Sequence, residues 1–225
     1  MAPDRRAPAV ADRYDATMNL MDATEALLGS GRRLGQRGLV SGGEGNLSIR
    51  LDADRLLTSP TGRRKDDLHA DDLVVVWLDH PDRDSRSPSG LAPSSDLAIH
   101  LALYRARPDI AAVVHAHLPA SMALTLAGEW PDPTALPETA HHLPRLPFVA
   151  AGEMGSADVA DRIAAALAEP PAPHPNAAIL ERHGAYAVGD DLTAAIDRLE
   201  LIEVLCRTWR DALLIRAARA TLGIV

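Results

Sequence analysis

The sequence predicts one mixed domain, α/β or α+β in class, and three observations carry that reading. Short β-type runs and segments of helical periodicity follow one another in mixed order instead of segregating into halves. The 225 residues are 47% hydrophobic and 24% charged, enough to bury one large core and too apolar for a disordered chain. No internal repeat or low-complexity tract divides the chain. The few aromatics (Phe 1, Tyr 3, Trp 3) make the expected core aliphatic.

A Pro- and charge-rich stretch, residues 1–13, reads as a flexible leader, and residues 14–225 as the folded domain. Tyr14, Met18, Met21 and Leu28 recur at helical spacing and predict a first helix that stops at Gly29 to Gly31. Leu47–Leu51 and Arg55–Thr58 read as strands separated by turn residues, and Leu73–Leu78 (LVVVWL) as a buried strand before the polar loop HPDRDSRSPSG. PSSDLAIHLALYRARPD predicts a second helix, with a polar N-terminus and Pro108 closing it. IAAVVHAH is a β-branched strand, SMALTLAG a third helix, and Glu129 to Pro147, broken by prolines, irregular chain. A helix over Ser156–Leu167, a PPAPHP connection and a strand pair around Ala177–Val188 follow. The closing helix starts at Leu192 and places Ile196, Leu199, Ile202, Cys206 and Trp209 on its apolar face.

Charge and cysteine content narrow the function. The 23 basic and 31 acidic residues give a net charge of −8, which offers no field for nucleic acid or an anionic membrane. A lone cysteine, Cys206, forms no internal disulfide, and no signal-peptide or bilayer-length apolar run is present, so a cytoplasmic protein is expected.

The chemistry concentrates in a few places. In VVHAH, His115 and His117 alternate along a strand and share one face, either as a metal-binding pair or as two satisfied histidines. His183, in ILERHGAYAVG, precedes a glycine that lets the backbone approach another group; joined to the pair, it completes a three-histidine site with an open position. Asp96 reads as a fourth ligand, an acid/base group, or a carboxylate stabilised by a helix N-terminus. His100, His141 and His142 read as packing or surface residues; His69, His80 and His174 as solvated. The loops EGN (44–46), SPTG (59–62) and PSS (93–95) offer hydroxyls, an amide and backbone donors suited to an anion, with Arg63, Arg64 and Lys65 alongside.

Taken in order, GEGNLSIR, LLTSPTG, PSSDLAIHLALYRARPDIAAVVHAH and ILERHGAYAVG resemble the class II aldolase/adducin family. The resemblance implies an α/β/α domain around a mostly antiparallel sheet, a homo-oligomer with a tetramer favoured, and active sites at subunit interfaces. It implies Zn2+, or another divalent metal such as Mn2+ or Co2+, on His115, His117 and His183. Gly45 and Asn46, Thr61 and Gly62, and Ser94 and Ser95 fall on the family's phosphate-binding positions. Asp96 stands where fuculose-phosphate aldolases carry Glu, as PSSD does in ribulose-phosphate 4-epimerases. Glu138 resembles a glutamate of methylthioribulose-phosphate dehydratases. The catalytic tyrosines of the aldolases, one shortly after the HxH strand and one beyond the long helix, have no counterpart, and Tyr186 reads as packing. Glu44 would repel a phosphate unless it points away or pairs with Arg63 or Arg64. The implied activity is retro-aldol cleavage of a small sugar phosphate through a metal-stabilised enediolate. The alternatives are a dehydratase, decarboxylase or 4-epimerase, or a non-catalytic adducin-like assembly module.

Overall fold

A computed structural model describes residues 18–80, 83–153 and 155–223, so the expectations for residues 1–13 and for Tyr14 lie outside the described residues. The first helix, α1 (Leu20–Gln36), is capped by Asn19, whose side chain accepts from Met21 N at 2.7 Å. It does not stop at Gly29 to Gly31. Gly31 is a contact glycine instead of a cap: a Cβ there would lie 1.9 Å from the Lys65 carbonyl oxygen. The helix therefore continues past it and ends before Gly38, whose φ of +66° suits the turn.

Strands β1 (Asn46–Arg50), β2 (Arg55–Thr58), β3 (Val74–Trp77), β4 (Ala112–Ala116), β6 (Ala177–Leu180) and β7 (Gly184–Gly189) fall where the pattern predicts, as do α2 (Leu97–Ala106) and α3 (Pro119–Leu126). The stretch expected to be irregular holds a short helix, α4 (Pro137–His142), before the two-residue strand β5 (Phe148–Val149). Pro137 opens α4 with its φ preset, and Thr139 anchors it by donating from Oγ1 to Pro133 O at 2.6 Å. Helix α5 (Ala157–Ala168) starts at Ser156, which caps Val159 N. The long α6 (Leu192–Leu222) starts at the Asp191 cap and ends at Gly223.

The seven strands form one sheet in the order β3-β2-β1-β4-β7-β6-β5, antiparallel throughout except for the β5–β6 pair. Alternation along β4 divides two cores. Ala112, Val114 and Ala116 pack with Leu27 of α1, Leu124 of α3 and Leu199 and Ile202 of α6. Val113 packs on the other side with Ile99 and Leu103 of α2 and Ile163 of α5. Helices thus cover both faces, the α/β/α arrangement implied by the sequence resemblance. Of the predicted α6 face, Leu192, Ile196, Leu199, Ile202 and Cys206 are buried, and Trp209 packs at its edge. Among the described residues, no helix is long and apolar enough to cross a membrane.

Candidate metal centre

Because β4 alternates, His115 lies on the α2/α5 side with Val113, fully buried, and His117 follows two residues on. His183 arrives from the turn joining β6 to β7. That turn needs a left-handed Arg182 (φ 58°) and Gly184 (φ 100°), where a Cβ would sit 2.1 Å from the Ala116 carbonyl oxygen. Only glycine permits this approach, and it carries His183 against the end of β4. The three ring centroids lie 4.7 to 5.0 Å apart, and one ligating atom from each ring lies within 4.8 Å of the others.

His115 Nδ1–H donates to Ala185 O at 3.0 Å, which leaves Nε2 buried, with a lone pair and without a partner among the described residues. An orphaned buried nitrogen of this kind costs about 1–3 kcal/mol unless something accepts its lone pair. Burial, and then the neighbouring His183 and His117, hold the His115 pKa well below the ordinary value; burial and His117 lower that of His183. Neutral imidazoles are the form that ligates. The residues present therefore fit a divalent cation.

Asp96 stands at the N-terminus of α2, 3% exposed, and does not cap it. Its Oδ2 accepts from Asn46 Nδ2 at 2.8 Å and from the Tyr186 hydroxyl at 3.1 Å, whereas Oδ1 is buried without a partner among the described residues. With the Asn46 amide turned this way, its oxygen accepts from His100 Nε2 at 2.6 Å, and His100 Nδ1 accepts from Ser48 Oγ at 2.6 Å. Burial brings the His100 pKa down to about 4, so this ring is neutral and its tautomer is set by the two contacts. Tyr186 stacks on His115 with ring centroids 4.2 Å apart. Its pKa is raised well above 10 by burial and by Asp96, so it keeps its proton and donates. Asn46, His115 and Tyr186 are neighbours across β1, β4 and β7 in register, which is why these side chains meet.

Three expectations change here. Tyr186 and His100 are buried, but both belong to the network that holds Asp96 and are more than packing. The i, i+4 spacing of Asp96 and His100 is the available signal for the second. Asn46, expected at an anion, spends its side chain on Asp96 and His100.

The three candidate anion loops do come together. Ser94 N donates to Ser59 O at 3.2 Å, Thr61 N to Ala92 O at 3.1 Å, and a Cβ on Gly43 would touch Gly62 at 3.3 Å. Thr61, Gly62 and Ser95 are exposed, Gly45 and Ser94 buried. The basic run beside them divides: Arg64 pairs with Asp66, Arg63 reaches toward Asp72, and Lys65 turns inward, donating to Gly43 O at 2.9 Å and Arg63 O at 2.5 Å. Burial lowers the Lys65 pKa to about 8, partly offset by Asp96.

Glu44 pairs with neither Arg63 nor Arg64; its Oε2 lies 2.9 Å from His117 Nδ1. Glu138 is not brought to the histidines. It is exposed on α4, in a groove of about 440 Å³ shared with His142 and with Asp197, Leu201 and Val204 of α6. His69, His80, His141 and His142 are exposed.

The fold and the site together define an α/β/α domain with a candidate three-histidine centre beside a buried carboxylate. The sequence profile of the Class II Aldolase and Adducin N-terminal domain matches residues 25–210, and the chain belongs to that family. It is 33% identical over 195 residues to a methylthioribulose-1-phosphate dehydratase of Acidiphilium cryptum, covering 83% of this chain and 89% of the relative. A 3-oxo-tetronate 4-phosphate decarboxylase of Haemophilus influenzae is 31% identical over 184 residues, 80% of this chain and 82% of the relative. The crystal structure of L-fuculose-1-phosphate aldolase from Thermus thermophilus superposes with a TM-score of 0.73 at 26% identity, over 88% of this chain and 97% of that one.

Proposed function

We propose that the protein is a divalent-metal-dependent lyase that removes water or carbon dioxide from a small phosphorylated sugar or sugar acid. The observation that carries this reading is the convergence of His115, His117 and His183, with a free lone pair on buried His115, in the same buried network as Asp96. Zn2+ is the favoured ion, with Mn2+ or Co2+ as substitutes. Bound there, such an ion supplies the Lewis-acid charge that draws electrons toward a substrate carbonyl.

The chain's own residues do the rest. Asp96 Oδ1 is the one carboxylate oxygen of the network without a hydrogen bond, and it takes up and returns the proton. Asn46 and Tyr186 keep Oδ2 occupied and so fix which oxygen acts. The hydroxyls of Thr61, Ser94 and Ser95 and the backbone N–H groups of Gly45 and Gly62 hold the distal phosphate.

Retro-aldol cleavage, the leading expectation from the family resemblance, has less support than these eliminations. Two relatives above 30% identity carry the names dehydratase and decarboxylase, and residues 118–147, directly after the HxH strand, hold no tyrosine. Glu138 lines a separate groove against α6, outside the hydrogen-bond network of Asp96. The exposed Leu214, Ile215 and Leu222 on α6 support association into a homo-oligomer, with a tetramer favoured, and a cytoplasmic setting goes with this reading.

The test combines metal analysis with three substrates: methylthioribulose 1-phosphate, 3-oxo-tetronate 4-phosphate and fuculose 1-phosphate, following loss of water, carbon dioxide or aldehyde. Stoichiometric zinc with either of the first two reactions is expected, and Asp96→Asn should keep the zinc and lose about 10²- to 10⁴-fold in turnover. Aldehyde release alone restores the aldolase reading. A protein that takes up no divalent metal leaves the adducin-like assembly role.

A further inference from the structure

We infer that Glu44 is a positioning residue for the metal centre, holding the His117 ring in its ligating tautomer from outside the coordination shell. The inference rests on the three-histidine metal reading and adds to it a residue from the loop beside the anion cradle.

The two oxygens of Glu44 have separate tasks. Oε1 accepts from Ser41 N at 2.9 Å and from Ser41 Oγ at 2.6 Å, inside a turn that Glu44 N closes back on Ser41 O at 3.2 Å. Oε2 faces His117 Nδ1 at 2.9 Å. A carboxylate is an acceptor only, so at this distance it favours the His117 form that carries its proton on Nδ1 and keeps the Nε2 lone pair for an ion. His115 reaches the same result by a different partner, because its Nδ1–H is taken by Ala185 O. Both strand histidines thus meet an oxygen acceptor at Nδ1, one a backbone carbonyl and one a carboxylate.

The carboxylate makes the stronger hold. It orients the ring and also raises the basicity of the ligating nitrogen, and outer partners of this kind carry about 10- to 100-fold in metal affinity. The pairing also explains how an acidic side chain is tolerated immediately before Gly45: it is turned away from the cradle, toward His117, and anchored there by Ser41.

The test is equilibrium Zn2+ binding by competition with a chromogenic chelator on the purified full chain. Wild type, Glu44→Gln, Glu44→Ala and Ser41→Ala are compared, with circular dichroism and melting in the metal-free state as the control for folding. Glu44→Gln and Glu44→Ala should bind one ion with about 10- to 100-fold weaker affinity and an unchanged metal-free melting curve. Ser41→Ala should show a smaller loss in the same direction. In the Co2+-loaded proteins, the visible d–d absorption should differ between wild type and Glu44→Ala, which a purely structural role of Glu44 would not produce. Zinc affinity within twofold of wild type in both Glu44 variants overturns the inference and leaves the metal reading intact. A wild type that takes up neither Zn2+ nor Co2+ overturns both.

Discussion

Two buried polar clusters flank the same sheet, and they differ in how completely they are satisfied. At one, Arg107 is 5% exposed, and its guanidinium makes five hydrogen bonds: two to the Asp109 carboxylate, and one each to Leu167 O, Pro175 O and Asn176 Oδ1. Nothing is left over. At the other, Asp96 and His115 are equally buried, yet Asp96 Oδ1 and His115 Nε2 have no partner among the described residues. A closed cluster ties α2 and α5 to the strand ends and serves the fold, whereas a cluster with two acceptors to spare is built to receive something positive or protic. The same chemistry of buried polar groups serves two purposes, and the hydrogen-bond count tells them apart.

Three substitutions sharpen or break that contrast. The largest effect is expected from His115→Ala, which should lower Zn2+ affinity well beyond the roughly 100-fold attached to an outer-shell partner; retention of wild-type affinity in a chelator competition would mean that the open cluster is not a metal site. Next, Arg107→Met should cost about 3 kcal/mol of stability in urea unfolding, because it strands buried carbonyl oxygens and Asn176, while leaving zinc uptake at wild-type stoichiometry. Loss of zinc with little loss of stability would invert the roles assigned to the two clusters. The smallest effect concerns acid. His100 has a folded-state pKa of about 4 against an ordinary 6.5. Such a depressed histidine contributes stability that is fully present above its unfolded value and is lost as pH falls from there toward the folded value, by up to about 3 kcal/mol. In chelator, His100→Phe should flatten this part of the stability-against-pH curve, and an unaltered slope would place the acid sensitivity elsewhere.

Much of this is legible in the amino-acid order, and the reasons for the remainder are physical. The period-2 run VVHAH is enough to put His115 and His117 on one face, because alternation is a property of any strand. Antiparallel pairing is not local, so nothing in GNLSIR or HGAYAVG taken singly says that Asn46 and Tyr186 stand on either side of His115. Tyr186 thus reads as core and His100 as filler. Local pattern cuts helix α1 short because a glycine beside a polar residue signals a cap, while the contact with the Lys65 carbonyl that requires Gly31 lies distant in sequence. Glu44 reads as a hazard to an anion since only its neighbours in sequence are visible, and its partner His117 lies at the end of the neighbouring strand β4.

The pairing of β1 with β4 has a consequence of its own. Asn46 opposes His115 in a ladder whose side chains alternate between faces, so a slip of one residue would carry His115 away from Asn46 and turn the strand's histidines toward the α1/α6 layer. The centre therefore exists only in molecules whose central strands are correctly aligned. A zinc titration of a refolded sample is, in effect, a head count of chains that found their native strand alignment, and it would reveal a misaligned fraction that overall secondary-structure content conceals.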